Sequence, residues 1–133
     1  MGLDMFLYKR VKVKEPQTEP KEIMYWRKAN QVRQWFVDNT GYNTESNCEE
    51  HPVTKEQLTQ LRDDCLKVVE AHKKTKNHRT ARKLLPSSDG FFFGGTEYDR
   101  WYYDEVERTA RELTEILRTI NFNTYEVFYY EWW

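Results

Sequence analysis

Cysteine, glycine and proline are scarce in this chain of 133 residues, which has two, five and four of them. Two cysteines without a secretion signal predict reduced thiols rather than a disulfide framework. No apolar run approaches the roughly 18 residues that a membrane-spanning helix needs, and the first residues lack the apolar region of a signal peptide. The sequence therefore predicts a cytoplasmic protein without membrane contact, and it carries no internal repeat.

The chain also lacks an excess of positive or negative charge. Charged residues make up 32% of it, but the net charge is only -1. This balance provides no overall field to attract nucleic acid or an anionic membrane. The phosphate-binding loop, the dinucleotide fingerprint and the nucleophile elbow are all missing. The length predicts one domain over residues 1–133. The sequence predicts no cofactor and no catalytic residues.

Aromatic residues, by contrast, are abundant at 16% of a chain whose hydrophobic content is only 38%. A core built largely from rings must also satisfy the polar atoms of tyrosine and tryptophan. More rings are present than one helix face and a small sheet can hide, and exposed aromatics are typical of interfaces. The candidate interface residues are Trp101, Tyr103, Trp132 and Trp133.

Alternation of apolar and polar residues predicts a strand over residues 3–14 and another from Tyr125 to the end of the chain. Helical spacing predicts helices over residues 22–38, from Thr54 to about Lys76, and over residues 97–120. The helix over residues 22–38 should stop near Gly41, and residues 40–53 should form a loop. We expect an α+β fold, with about three helices packed on a small antiparallel sheet in which the N- and C-terminal strands pair.

A glycine turn between a predicted strand at residues 91–93 and the long helix is the first candidate for a ligand site. Thr96 and Asp99 have the spacing of a capping box, so the turn should place free backbone amides at a helix start. A nucleotide could bind there, with polar groups from the first helix and a ring for stacking. The candidate ligand-binding residues are Arg27, Asn30, Gly94, Gly95, Thr96, Tyr98 and Tyr102.

Three other chemistries were weighed against simpler structural roles. A zinc site would need Cys48, His51, Cys65 and His72, but their spacing fits no standard pattern, and the sequence predicts no bound metal. Asp104 and Glu107 could form an acid–base pair, although a solvated helix face explains them better. The basic segment over residues 73–83 could hold phosphates, but base stacking there would need rings from elsewhere in the chain.

Three motifs occur together: MGLDM at residues 1–5, YWRKAN at 25–30 and GFFFGGTEYD at 90–99. In these motifs the chain resembles a group of small proteins encoded by bacteriophages and related mobile elements. The resemblance implies a cytoplasmic accessory protein of an infected cell, and it implies no activity, cofactor or catalytic residue. Small accessory proteins of phages often disarm host defences, which by analogy suggests the same role here.

Two functional hypotheses follow. The first is a binding protein that inhibits a host protein, such as a defence nuclease or effector, through an aromatic and charged surface. The alternative is a protein that binds or sequesters a nucleotide signal near Gly94, Gly95 and Thr96. The position of Arg27 should discriminate between the two hypotheses. If Arg27 lies inside a cleft, anion binding is favoured, and if it lies on an open face, contact with a protein is favoured.

Overall fold

The computed structural model describes residues 2–12, 19–42, 45, 48–89 and 94–133, and the predicted strand at residues 91–93 lies outside them. Within the described residues the chain forms four strands and four helices. The strands are β1 (Asp4–Val11), β2 (Lys21–Arg27), β3 (His51–Val53) and β4 (Tyr125–Trp132). The helices are α1 (Asn30–Thr40), α2 (Lys55–Thr75), α3 (Arg79–Leu84) and α4 (Arg100–Thr119).

One antiparallel sheet with the order β2-β1-β4-β3 contains all four strands. The two terminal strands lie at its centre, where Asp4 is opposite Trp132 and Val11 is opposite Tyr125. The predicted α+β class and the predicted pairing of the terminal strands are therefore confirmed. Because side chains alternate along a strand, this register sorts the residues of both strands onto the same two faces.

The predicted helix over residues 22–38 is wrong in its first half, which is strand β2. Ile23 and Trp26 are spaced as neighbours on a helix, but Met24 and Trp26 are also spaced as neighbours on one face of a strand. Met24 and Trp26 are buried and Tyr25 between them is exposed. Pairing with β1 decides between the two periods, since it gives the strand's backbone its hydrogen bonds.

Helix α1 begins only at Asn30, after Lys28 has taken a left-handed conformation with φ of 56°. It ends, as predicted, at Gly41, whose φ of 72° is the conformation that glycine adopts most easily. The loop predicted over residues 40–53 is wrong at its end, because His51–Val53 pairs with β4.

Helix α2 begins with a capping box formed by Thr54 and Gln57. The Thr54 hydroxyl accepts from the Gln57 amide at 3.0 Å, and the Gln57 side chain accepts from the Thr54 amide at 2.9 Å. The box predicted at Thr96 is wrong, because Asp99 is itself the N-cap of α4 and accepts from the Tyr102 amide at 3.0 Å. A carboxylate at this position reaches the free amides of the first turn directly.

The helices pack on one face of the sheet, and rings dominate the contact. Phe36 of α1 stacks on Tyr129 of β4 with their ring centroids 4.3 Å apart. The indole nitrogen of Trp26 donates to the Thr109 hydroxyl of α4 at 2.8 Å. Among the described residues no buried side-chain nitrogen or oxygen lacks a hydrogen-bond partner. The ring-rich core thus avoids the cost of unsatisfied polar atoms.

The outer edge of β2 is held by an arginine of α4. Arg108 donates to the main-chain oxygen of Tyr25 at 2.9 Å, and Glu105 fixes the same guanidinium at 2.7 Å. At the other edge, β3 is only three residues long and contains Pro52. Each edge therefore has one feature that limits further pairing, an occupied backbone oxygen on β2 and a short strand with a proline at β3.

A buried ion pair joins α1 to β4. The Arg33 guanidinium nitrogen Nε lies 2.9 Å from Glu131 Oε2, and the Glu131 side chain has no exposed surface. Glu131 also accepts from the Tyr129 hydroxyl and from the Trp133 indole, both at 2.7 Å. The single N–H of Arg33 Nε lies within hydrogen-bond distance of both carboxylate oxygens, so it is shared between them. Removing the carboxylate would take this partner from a buried cation.

We predict that Glu131→Ala lowers the free energy of unfolding by about 3–5 kcal/mol, because it removes the buried carboxylate that pairs with Arg33 and accepts from Tyr129 and Trp133. Urea unfolding followed by circular dichroism measures the loss. Glu115→Ala is the matched control, since Glu115 pairs with Arg118 on the surface, where water screens the pair. Equal stability of the two variants would contradict this account of the buried pair.

Candidate functional site

The sheet face opposite the helices carries a group of stacked rings, which we name the aromatic face. Its members come from the three longer strands, and they are Phe6, Tyr8, Tyr25, Phe128 and Tyr130. The two central strands supply four of them because β1 and β4 pair in register. The pattern of alternation, and not any motif, is the sequence signal that locates this face.

The rings of the aromatic face form a continuous array. Phe6 lies at its centre, with ring centroids 5.2 Å from Tyr25, 5.5 Å from Tyr8 and 6.2 Å from Tyr130. Tyr8 continues the array to Phe128 at 5.6 Å. These separations are those of favourable aromatic pairs. The side chains hold one another in place, so the surface is preorganised.

Exposure differs across the aromatic face. Tyr25 is 37% exposed and Phe128 only 4%. The Arg10 guanidinium covers the Phe128 ring at 4.9 Å. Phe6, Tyr8 and Tyr130 are half-buried, and nearby Trp132 is 56% exposed. A ring cluster that remains accessible on a sheet is a feature of binding surfaces.

Paired charges surround these rings. Arg10 bonds to Glu50 at 3.0 Å and to Glu126 at 2.7 Å. Arg27 bonds to Asp4 at 3.2 Å. The hydrogen bonds to Glu50 and then Glu126 raise the pKa of Arg10, so it stays charged. Both arginines of this surface are therefore already neutralised.

Asp4 also accepts from the Tyr25 hydroxyl at 2.5 Å, and this hydrogen bond is the main cause that raises the pKa of Tyr25. Glu22 lies opposite Tyr8 in the register of β1 and β2. The pKa of Tyr8 is raised by its burial and then by this carboxylate. The four carboxylates named around the rings outnumber the two arginines, so the rim is slightly acidic.

The glycine turn forms part of a second feature, the glycine cleft, which has a volume of about 380 Å³. It is lined by Arg27, Lys28, Gly94, Gly95, Trp101 and Glu105. A Cβ at Gly94 would lie 3.1 Å from the Cβ of Lys28, and Gly94 has φ of 85°. Only glycine allows this close approach of the two segments.

Two of the candidate ligand-binding residues, Asn30 and Thr96, hold the turn in place. The Asn30 side chain is buried, donates to the Gly95 oxygen at 2.9 Å and accepts from the Ser88 amide at 2.9 Å. The main-chain oxygen of Thr96 accepts from the Ser87 hydroxyl at 2.7 Å. Arg27 lines the cleft but is bound to Asp4, so it lies where the cleft meets the aromatic face.

A third feature, the histidine–tyrosine cleft, lies between α2 and the start of α4 and has a volume of about 360 Å³. It is lined by Val69, His72, Lys73, Tyr98, Asp99, Arg100, Tyr103, Asp104 and Glu107. The rings of His72 and Tyr103 stack with their centroids 3.7 Å apart. The Tyr103 hydroxyl lies 2.6 Å from His78 Nδ1. Tyr98, predicted for the glycine turn, thus belongs to a different cleft.

The remaining candidate residues divide between surface and core. Tyr102 is buried, and its hydroxyl donates to the Leu85 oxygen at 2.6 Å. Trp101 and Trp132 are exposed. Tyr103 and Trp133 are half-buried. The aromatic face itself was missing from our candidate interface residues, because the alternation of β1 and β4 was used only to predict strands.

The four residues considered for zinc do not come together. Among the described residues, no group of three or more histidine, cysteine or acidic side chains is arranged to hold a metal ion. Cys65 is buried in the core and Cys48 is exposed. Burial raises the pKa of the Cys65 thiol well above its ordinary value. Asp104 and Glu107 do share a cleft, as the acid–base hypothesis requires.

Comparison of the chain with protein-family models, with curated proteins and with solved structures finds no match. Within the described ranges, none of the helices combines the length and the apolar character needed to span a bilayer. The aromatic face and the two clefts are the features of the molecule that bear on its function.

We predict that only one of the two thiols reacts rapidly with a disulfide reagent in the native protein. Cys48 should react because it is exposed, and Cys65 should react only after unfolding because it is buried and its thiol stays protonated. Titration with Ellman's reagent, with and without guanidinium, counts the reactive thiols. Cys65→Ser should leave the rapid phase unchanged, and loss of that phase in this variant would contradict the assignment.

Proposed function

We propose that this protein is a phage-type accessory protein that binds a host protein, such as a defence nuclease or effector, and inhibits it. The aromatic face is the surface that makes the contact. The observation that carries the proposal is the stacked array of five rings on the side of the sheet opposite the helices. The resemblance to phage-encoded proteins supports the choice of a host partner.

Ring chemistry supports a protein as the occupant of this face. Tyrosine side chains dominate the energetic centres of interfaces because they bury a large area with few rotatable bonds. Tyr8, Tyr25 and Tyr130 also offer hydroxyls, so the face combines apolar area with polar contacts. Their mutual stacking lowers the ordering cost that a partner must otherwise meet.

Charge argues against nucleic acid at this face. Binding a phosphate backbone depends on cations that replace its counterions. Arg10 and Arg27 are both paired with carboxylates, and Glu22 adds another negative charge. The partner that fits is a protein surface with an apolar centre and basic residues around it, since these would meet the acidic rim.

We predict that the double variant Tyr25→Ala/Tyr130→Ala weakens partner binding by about 30-fold or more, the effect expected from losing an energetic centre of about 2 kcal/mol. A partner captured from host lysate is purified, and its affinity for wild type and variant is measured by calorimetry. Leu66→Ala is the control, because Leu66 is 49% exposed on α2, away from the sheet. Thermal unfolding checks that both variants are folded.

Two further measurements complete this test: the salt dependence of partner binding, and the location of the amides that the partner protects from hydrogen exchange. Binding that weakens with added salt, and hydrogen exchange that slows in β1 and β4 on complex formation, would support the proposal. The proposal fails if the double variant binds as tightly as wild type, or if no host protein binds at all.

A second candidate function is nucleotide binding in the glycine cleft, and a specific observation favours it. The cleft joins Lys28, Arg27 and the exposed Trp101 around Gly94 and Gly95. A tryptophan face can stack on a base, and Lys28 can contact phosphate. Pairing of Arg27 with Asp4 leaves fewer cations for the phosphate, which is why this candidate ranks second.

For this candidate we expect Lys28→Ala and Trp101→Ala each to abolish the thermal stabilisation that a bound nucleotide or cyclic oligonucleotide gives. Lys55→Ala, at the start of α2, is the matched lysine control. The absence of any thermal shift with millimolar ligands in the wild type would exclude the candidate.

A further inference from the structure

Aromatic rings from elsewhere in the chain lie beside the basic segment at residues 73–83. It contains the end of α2, the left-handed residue Lys76 and most of α3. Its cations are Lys73, Lys74, Lys76, Arg79, Arg82 and Lys83. The segment itself contains no tyrosine, tryptophan or phenylalanine, so base stacking beside these cations needs rings from another element.

Tyr98 and Tyr103 supply those rings. The Tyr103 ring stacks on His72 at 3.7 Å, and the Tyr98 ring is stacked with His78 at 5.7 Å. Arg82 lies over Tyr98 at 5.3 Å. Cations and aromatic surfaces that are distant in sequence thus meet at the histidine–tyrosine cleft.

The opposite wall of the cleft is acidic, and it is formed by α4. Asp99 is occupied as the N-cap, and Asp104 lies 3.7 Å from the Arg100 guanidinium. Glu107, one turn further along the helix, lines the cleft as well. The cleft therefore has a basic wall with Lys73 and an acidic wall with Glu107, and it favours a dipolar ligand.

We propose that the histidine–tyrosine cleft binds a guanine nucleotide. A guanine base presents two neighbouring N–H donors, from its ring and its amino group, and an ionised carboxylate such as that of Glu107 only accepts hydrogen bonds. The phosphate then lies toward Lys73 and the rest of the basic segment, away from the carboxylates. The volume of about 360 Å³ is within the range of small-ligand sites.

A base in the cleft would lie beside two tyrosine rings that histidines hold in place. Tyr98 and Tyr103 border the cleft, and His78 holds the Tyr103 hydroxyl at 2.6 Å. Adenine has only one donor group on the corresponding edge, so the acidic wall distinguishes the two purines. This proposal uses neither the aromatic face nor the glycine cleft, and it stands independently of partner binding.

The test is isothermal titration calorimetry of the full chain with GMP, and with AMP, guanosine and inorganic phosphate as comparison ligands. We expect GMP to bind on the order of tenfold more tightly than AMP and guanosine, because each lacks one charged contact. Glu107→Gln should reduce the preference for GMP over AMP, and Lys73→Ala should reduce the preference for GMP over guanosine. Tyr103→Phe should retain binding because it keeps the ring.

Matched controls locate the site. Lys55→Ala, on the same helix as Lys73 but at its other end, should leave GMP binding unchanged. The proposal is overturned if GMP does not bind at millimolar concentration, if AMP binds equally well, or if inorganic phosphate alone accounts for binding. It is also overturned if Lys28→Ala removes binding while Glu107→Gln does not, since the nucleotide would then occupy the glycine cleft.

Discussion

The antiparallel pairing of β1 with β4 is the constraint on which the rest of the structure depends. It joins segments more than a hundred residues apart in sequence and places them at the centre of the sheet. On one side the pairing creates the apolar surface that the helices cover, and on the other it collects Phe6, Tyr8, Phe128 and Tyr130. The buried bond between Arg33 and Glu131 then fixes α1 to this central pair. Core and candidate binding surface are two faces of the same ladder.

Much of the fold could be predicted from the sequence, because local patterns were unambiguous in the terminal strands and in α2. The segment at β2 was different, since its apolar residues fit both a helix and a strand, and only pairing with β1 decides between them. The three residues of β3 carry too little pattern to be found at all. Local spacing also misled at Thr96, because the carboxylate of Asp99 caps α4 by itself.

The candidate sites were less accessible to prediction, because they depend on contacts between distant segments. No spacing rule places Tyr103 on His72 or Lys28 against Gly94. The prediction that rings exceed the capacity of the core agrees with the exposure of Trp101 and Trp132, although it named none of the rings of the aromatic face. Tyr102 and Trp133 satisfy their polar atoms inside the fold or at its border, whereas the accessible array lies on β1, β2 and β4.

The two edges of the sheet bear on how a second molecule could approach. Arg108 occupies a backbone oxygen of β2, and Pro52 interrupts the short strand β3. The occupied oxygen and the proline hinder a second molecule from extending the ladder by adding a strand of its own. A protein bound to the aromatic face, as we propose, would instead lie flat over the rings, so that the complex would have three layers, with the helices below, the sheet in the middle and the partner on top.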